Sequence, residues 1–470
     1  MKQQSTETID IPFLSQVLSS EKDARARRIT YDNGYTLVMV PKPGDTFNVS
    51  TWVRTGSIHE DANISGISHF LEHLMFKGTK RFKMGEFDRA MESMGAIINA
   101  ATWKDFTFYY VTGPRGAVQG SEMGENFAKA LDMHADMMLG ATIPDDEVGP
   151  PYDALDPDYQ GEKRERSVVI EEISMREDQP WTKVYNAVNH MMYPDGHPYQ
   201  RDVIGTRDII GRVPRDTIYE YYRKWYSPAN LTTIVVGDFD LAALESEVLN
   251  AFDFKKFGLA QNGASPVKAL PDIRHDEGAR YREVRADYQT TFFIMAYHCP
   301  PPSQLEETIA LDIVSLVLGE SRSSRLTQAL LEKPEKPLFN YLSTDQTQFK
   351  LGNVFFIQGN LNTSDTQLAL AQVTDQVNRL LTTEPITQAE FERALKSLRV
   401  DFAVTSETAS GMAEAIGEAL TVTDSLDSYI HYMSVLNGLT LDTVNAAARR
   451  YLSPDLAYTA VLLPEQEAKA

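Results

Sequence analysis

Cysteine, long apolar runs and positive charge are all scarce in this sequence of 470 residues. The only cysteine is Cys299, so no internal disulfide can form. No apolar run approaches the roughly 20 residues that a membrane-spanning helix needs. Asp and Glu outnumber Lys and Arg by 66 to 45, and the net charge of −21 argues against nucleic acid or an anionic membrane as a partner. We therefore expect a soluble globular protein.

An internal repeat indicates two copies of one α+β unit. A helix ends at Ser227-Pro228 and leads into the strand Leu231–Val236, and a matching helix ends at Ser453-Pro454 and leads into Tyr458–Leu463. We predict an α+β fold with two homologous domains, each an antiparallel-rich sheet packed against helices. The predicted domains are residues 25–253 and 275–470, joined by a linker over 254–274.

The stretch from Ser65 to Gly78 is predicted to be an amphipathic helix, which Ser65 caps and Gly78 closes. His69 and His73 are four residues apart, so their imidazoles leave the same side of the helix one turn apart, and Glu72 lies beside them. This His-x-x-Glu-His order reverses the more familiar zinc-binding helix motif. The alternative is two surface histidines and a solvated glutamate on an amphipathic helix.

A catalytic zinc needs a third protein ligand and an open position for water. The helix predicted over residues 163–176 carries Glu165 and Glu172 two turns apart on one face, and Glu172 is the candidate third ligand. Glu72 would then be the general base, taking a proton from the attacking water and passing it to the leaving amine. Glu165 would orient one of the metal-binding side chains without binding the metal itself. The alternative for this pair alone is a solvated helix face.

Together these motifs resemble those of the pitrilysin and insulin-degrading-enzyme family of zinc peptidases, the inverzincins, over nearly the whole chain. The sequence is most similar to the half-length branch that includes mitochondrial processing peptidase and its bacterial relatives. The resemblance rests on Gly66 to Thr79, Asn99-Ala100-x-Thr102, Glu165-Arg166 to Glu172-Ile173, His197-Pro198-Tyr199 with Gly205-Thr206, Tyr226-Ser227-Pro228-x-Asn230-Leu231 with Gly237-Asp238, and Ser323-Ser324-Arg325-Leu326. The first and third of these motifs are specific, and the others are weaker singly.

For the site residues, the resemblance implies that His69, His73 and Glu172 bind Zn²⁺. It implies that Glu72 is the catalytic base and that Glu165 supports the site. The first predicted domain would then be the zinc-binding catalytic one, and the second a homologous domain without metal. The gap between His73 and Glu172 is longer than in the family, and a Pro-rich loop over 149–161, with a Gly-rich stretch over 113–124, would account for it.

Substrate binding and a second subunit are also implied by the resemblance. The edge strand with Asn99, Ala100 and Thr102 would pair with the backbone of a peptide substrate, and two such subunits usually close around a chamber. Relatives that cleave peptides often carry an Arg and a Tyr that hold the substrate. Here Leu331 stands in the place of the Arg, and Tyr341 is the candidate for the Tyr. We therefore expect a homologous partner subunit to supply these residues in a heterodimer.

The leading hypothesis is a zinc-dependent endopeptidase that acts on peptides or unfolded segments. The alternatives are a non-catalytic structural subunit, as found among relatives in respiratory complexes, and a metal-binding clamp that holds peptides without cutting them. Structural relatives have usually lost the metal motif, which is intact here. The first 20 residues do not resemble a signal peptide, and the compartment is not fixed by the sequence. We expect the bacterial cytoplasm or periplasm.

Overall fold

The computed structural model describes residues 1–11, 25–116, 123–151, 164–259, 265–273 and 278–465. The strands are β1 (Gln3–Ile9), β2 (Ala26–Tyr31), β3 (Thr36–Pro41), β4 (Thr46–Val53), β5 (Ile97–Thr102), β6 (Thr107–Pro114), β7 (Leu231–Gly237), β8 (Tyr281–Ala286), β9 (Phe292–His298), β10 (Phe339–Thr347), β11 (Val354–Leu361) and β12 (Tyr458–Pro464). The α-helices are α1 (Ile67–Met75), α2 (Glu86–Ser93), α3 (Glu125–Gly140), α4 (Asp145–Val148), α5 (Glu165–Glu177), α6 (Pro180–Met192), α7 (Arg207–Arg212), α8 (Arg215–Trp225), α9 (Leu241–Ala251), α10 (Leu305–Leu318), α11 (Thr366–Leu381), α12 (Gln388–Glu407), α13 (Ala409–Val422), α14 (Asp427–Ile430), α15 (Tyr432–Gly438) and α16 (Leu441–Tyr451).

Two compact units make up the chain, and each is assembled from separated stretches of sequence. The first unit consists of Met1–Ile173, Arg201–Ala269 and Val404–Ile430, and the second of Ser174–Gln200, Leu270–Ala403 and His431–Ala470. The predicted fold class, α+β with two homologous domains, is confirmed, because each unit contains a mostly antiparallel sheet packed with helices. The predicted domain boundaries around 254–274 stay a prediction, and part of that linker lies outside the described residues.

The sheet of the first unit has the strand order β1-β2-β3-β7-β4-β6-β5 among the described residues. Neighbouring strands in this sheet are antiparallel, except β3 and β7, which run parallel to each other. A turn with Asn33-Gly34 joins β2 to β3, and Gly34 adopts the positive φ of 85° that favours glycine. β5 is an edge strand: it pairs with β6 on one side and, within the ranges given above, with no strand on the other. Its residues therefore lie at an open edge, against α1.

Helices pack on both faces of this sheet. Tyr109 of β6 belongs to the buried core that also contains Phe70 of α1. Its neighbour Phe108 points to the opposite face, where it stacks on Trp52 with ring centroids 4.2 Å apart. On that opposite face α13 contacts β4, and a Cβ added to Gly417 would lie 1.9 Å from Cε2 of Trp52. A helix from late in the sequence therefore completes the unit that contains α1.

The sheet of the second unit repeats the arrangement with fewer strands. Its order is β10-β11-β9-β12-β8, with β12 and β8 parallel and the other neighbours antiparallel. The helix α16 leads through a short 3₁₀ turn into β12, as α8 leads into β7 in the first unit. The helix α10 is the next α-helix after β9, as α1 is after β4 in the first unit, and it carries no histidine. The topology thus follows the predicted repeat, and the His-x-x-Glu-His helix occurs in the first unit alone.

Candidate metal centre

Two imidazoles from α1 and one carboxylate from α5 lie together in the first unit. Nε2 of His69 is 3.7 Å, and Nε2 of His73 is 3.6 Å, from Oε2 of Glu172. One donor atom from each of the three residues lies within 4.8 Å of the others, and no second group of this kind occurs in the part of the chain that the structure describes. The helix predicted over 163–176 is observed as α5, although most of the predicted loop before it, 149–161, lies outside the described residues.

This donor set fits a zinc ion. A tetrahedral ion about 2.1 Å from each donor holds neighbouring donors about 3.4 Å apart. The observed separations of 3.6 and 3.7 Å between nitrogen and oxygen are close to that spacing. Two histidines and one glutamate are also a ligand set of catalytic zinc sites, which keep a fourth position open. The predicted cofactor, zinc, is therefore compatible with the residues that α1 and α5 bring together.

The start of α1 is stabilised by a residue that the sequence analysis did not single out. The prediction that Ser65 caps this helix is wrong, because the N-cap is Gly66 with φ of 92°. The buried carboxylate of Glu60 accepts hydrogen bonds from the backbone N–H of Gly66 at 2.7 Å and of Ser68 at 2.8 Å. It thereby satisfies donors that a capping side chain would otherwise satisfy. A Cβ on Gly66 would lie 2.5 Å from the carbonyl oxygen of Ile204, so this close approach requires glycine.

A second carboxylate orients the ring of His73. Nδ1 of His73 lies 3.2 Å from Oε2 of Glu165, while Nε2 faces Glu172. The other oxygen of Glu165 forms an ion pair with Nζ of Lys77 at 2.5 Å. A carboxylate in this place fixes which ring nitrogen of a metal-binding histidine carries the proton. Lys77 was not among the site residues predicted from the sequence, although its spacing of four residues from His73 was an available signal.

The side chain of Glu72 contacts the open edge strand. Its Oε2 accepts a hydrogen bond from Oγ1 of Thr102, the last residue of β5, at 2.5 Å. This is the one hydrogen bond to the Glu72 carboxylate from any residue in the described ranges. Asn99 and Ala100 lie on the same strand, where Oδ1 of Asn99 accepts from the N–H of Ala100. Of the three residues predicted to bind substrate, Thr102 is thus the one seen in contact with the predicted base.

Burial and charge shift the pKa values of this cluster in different directions. Burial raises the pKa of Glu72 above its ordinary value. Burial alone would lower the pKa of His73, but the surrounding carboxylates, with Glu165 the most important, raise it overall. Burial would raise the pKa of Glu165, yet its hydrogen bonds with His73 and Lys77 hold it below the usual range. The site therefore favours positive charge at His73, whether a proton or a metal ion supplies it.

Two models of one protein family match most of the chain. The model described as Insulinase (Peptidase family M16) matches residues 36–206, which include the three metal-donor residues. The model described as Peptidase M16 inactive domain matches residues 212–398. The chain belongs to peptidase family M16. The predicted family resemblance is confirmed, and so is the prediction of a metallopeptidase with the inverted zinc motif.

Individual M16 relatives span almost the whole chain. The zinc protease PqqE from Helicobacter pylori is 28% identical over 446 residues, covering 93% of this chain and 92% of that protein. The crystal structure of a protease from Helicobacter pylori superposes with a TM-score of 0.79 at 26% identity, covering 93% of this chain and 99% of that one. A chain of complex III from Candida albicans, 14% identical, shares the fold with a TM-score of 0.72 over 93% of this chain and 95% of its own length. Among the described residues, no helix is both long and apolar enough to cross a membrane.

Proposed function

We propose that this M16 protein is a zinc-dependent endopeptidase that hydrolyses peptides or unfolded segments. The observation that carries the proposal is the convergence of His69, His73 and Glu172, with Glu72 next to them on α1. A relative named as a zinc protease, similar over nearly the full length, supports the same activity. In this proposal the first three residues bind the ion and Glu72 is the base.

The proton transfers of the reaction fall to Glu72. When bound, zinc would act as a Lewis acid toward the scissile carbonyl and make water easier to deprotonate. Glu72 takes the proton from the attacking water and gives it to the leaving amine. Its Oε2 is already occupied by the hydroxyl of Thr102, which leaves Oε1 for the proton. Burial supports this double role, because it raises the pKa of Glu72 toward neutral pH, where a carboxyl group can both accept and donate a proton.

The contribution of Glu165 is to prepare His73 for the metal. With the carboxylate of Glu165 on Nδ1, the proton of a neutral imidazole stays on that nitrogen. The lone pair of Nε2 is then directed toward Glu172 and the metal position. Lys77 keeps the second oxygen of Glu165 occupied, so the carboxylate has one remaining partner, the imidazole. Glu165 therefore supports the site without binding the ion.

The open edge of β5 is the proposed binding place for the substrate backbone. A peptide strand that adds to this edge would form main-chain hydrogen bonds along Asn99, Ala100 and Thr102. Main-chain pairing depends little on side chains, so many sequences could be accepted. The end of this strand lies at Glu72 through its Thr102 contact, which would bring a bound backbone next to the base.

A partner subunit is proposed to complete the substrate site. Leu331, which by the family resemblance takes the place of an arginine, is aliphatic and packs against the hydrophobic core of the second unit. It cannot donate hydrogen bonds to a substrate carbonyl or an oxyanion. Tyr341 is exposed on β10, but one tyrosine does not replace the missing cation. The heterodimer, its chamber and a location in the bacterial cytoplasm or periplasm remain proposals.

Cleavage of a quenched fluorescent peptide library tests this function. We expect the zinc-loaded protein, alone or mixed with a homologous partner, to cleave peptides, to lose activity with a chelator and to regain it with zinc. Glu172→Gln should weaken zinc binding, whereas Glu171→Gln on the same helix should not.

Comparable activity of the isolated chain and the mixture would contradict the heterodimer. A folded, zinc-bound protein that cleaves nothing in either form would favour the alternative, a non-catalytic or peptide-holding subunit, which the fold shared with a complex III chain leaves open.

A further inference from the structure

We propose that Thr102 is a positioning residue that fixes the carboxylate of Glu72 in its reactive orientation. This inference rests on the proposed function, since it concerns the base of that reaction. The sequence resemblance implied a different role for Thr102, in binding the substrate backbone. The side chain, however, points to Glu72, and its hydroxyl lies 2.5 Å from Oε2. The backbone and the side chain of Thr102 therefore serve separate purposes.

Glu72 needs such a partner because its side chain is long and rotatable. A glutamate has three side-chain torsions, and a carboxylate that is free to turn reaches its reactive position only part of the time. The hydroxyl of Thr102 is the one hydrogen-bond donor to this carboxylate in the described part of the chain. Removing that donor leaves the carboxylate present but no longer fixed.

Thr102 is itself held on a rigid support. It pairs with Thr107 in the ladder between β5 and β6, and the turn after it is closed by a hydrogen bond from Trp103 N–H to the carbonyl of Phe106. The same turn packs against Gly56, where an added Cβ would lie 2.2 Å from the carbonyl oxygen of Trp103. The backbone that carries the Thr102 hydroxyl is therefore held in place, as an effective positioning group requires.

The surrounding hydroxyls leave the proton of Thr102 for Glu72. Oγ1 of Thr107 donates to the carbonyl oxygen of Thr55 at 2.9 Å. The same hydroxyl is also oriented to donate to Oγ1 of Thr102, at 3.4 Å, so Thr102 accepts there and its own proton goes to Glu72. The β-branched side chain of Thr102 also restricts its χ1 torsion, which keeps the hydroxyl aimed in one direction. Threonine is thus suited to the position, and valine has its shape without its donor.

The test compares Thr102→Val and Thr102→Ser in the zinc-loaded enzyme. The variants are assayed either alone or with the partner subunit, in whichever form the wild type cleaves peptides. We expect Thr102→Val to lower kcat about tenfold with KM changed by less than about twofold, since one hydrogen bond to the base is lost. Thr102→Ser keeps the hydroxyl and should retain most of kcat. Thr46→Val, the same substitution at an exposed position of the same sheet, is the matched control and should leave both constants unchanged. A rise in KM at constant kcat would overturn the proposal in favour of substrate binding.

A double-mutant cycle shows whether Thr102 acts through Glu72. In a Glu72→Gln background the base is absent, so adding Thr102→Val should cause no further loss of kcat. An additional loss of about tenfold in that background would overturn the proposal. Zinc affinity should be the same in all Thr102 variants, and crystal structures should show the Glu72 carboxylate displaced in Thr102→Val and retained in Thr102→Ser. An active wild type with an unaffected Thr102→Val rejects this inference alone, whereas a wild type with no peptidase activity rejects the proposed function.

Discussion

Nζ of Lys77 lies 2.5 Å from Oε1 of Glu165, and the other oxygen of the same carboxylate faces Nδ1 of His73. The lysine, the carboxylate and the imidazole thus form a chain that ends at the nitrogen directed toward Glu172. Lys77 and Glu165 are both partly buried, so their attraction is screened less than that of a fully exposed pair. The orientation of the His73 ring is therefore supported by a residue just after the helix that carries it.

Replacing Lys77 by methionine should weaken zinc binding. Glu165 would lose its second partner and hold the ring of His73 less firmly, and changes to such outer partners cost about tenfold or more in metal affinity. Competition with a fluorescent chelator measures the dissociation constant. Lys80→Met, a nearby exposed lysine, is the matched control and should have no effect. Equal zinc affinity in Lys77→Met and the wild type would contradict this account.

Glu60→Gln should destabilise the start of α1. The Glu60 carboxylate accepts from two backbone N–H groups, of Gly66 and Ser68, whereas an amide would turn its NH₂ toward one of them. We expect the free energy of unfolding to fall by about 1–3 kcal/mol, the cost of leaving a buried donor unsatisfied. Urea unfolding above neutral pH measures it, with the exposed neighbour variant Asp61→Asn as the control. The same unfolding midpoint in Glu60→Gln and Asp61→Asn would argue against the capping role.

Burial of His134 predicts a loss of stability in acid. Its ring is fully buried with Nε2 2.9 Å from Oγ1 of Thr51, and burial lowers its pKa from 6.5 to about 3. In the unfolded chain His134 takes up a proton as the pH falls through about 6.5, whereas in the folded protein it does so only near pH 3. The stability that depends on a neutral His134 is therefore fully present above pH 6.5 and is lost as the pH falls toward 3. The contribution of His134 to the free energy of unfolding should fall by on the order of 1.4 kcal/mol per pH unit in that window. Urea unfolding of His134→Gln should show a shallower pH dependence; an unchanged slope would be inconsistent with a neutral buried His134.

Gly417→Ala should destabilise the protein although it lies inside a helix. In a helix interior, alanine is favoured over glycine by about 1 kcal/mol. At this position, however, the new Cβ would lie 1.9 Å from Cε2 of Trp52, so α13 must move away from the sheet. We expect a net loss of about 1–3 kcal/mol in thermal or urea unfolding. Gly438→Ala, where no atom lies within 4 Å of the added Cβ, is the control. A Gly417→Ala protein as stable as the control would mean that α13 does not pack on this face.

The parts of the site that follow from local periodicity could be predicted from the sequence. A spacing of four residues puts His69 and His73 on one side of any helix, whatever surrounds it. The repeated Ser-Pro motif before β7 and β12 likewise indicated two sheets of related topology. Glu172 was a candidate third donor through its place on a predicted helix, and the family resemblance supported that choice. Periodicity alone cannot say which distant helix approaches α1.

The supporting contacts could not be predicted in this way. Glu60 stabilises α1 from a preceding loop, and no local pattern distinguishes it from the many other acidic residues. The hydrogen bond between Thr102 and Glu72 depends on the packing of β5 against α1. The packing of Gly417 on Trp52 joins residues far apart in sequence, which is why the repeat gave no sign that α13 belongs to the first unit.

The central claim is that this protein hydrolyses peptides with Glu72 as the base beside a zinc site. The most direct test measures zinc content and the initial rate of peptide cleavage for the wild type and Glu72→Gln, side by side. The account predicts equal zinc in both proteins and a rate in the variant lower by about a hundredfold or more. Equal cleavage rates in two zinc-loaded proteins would contradict it.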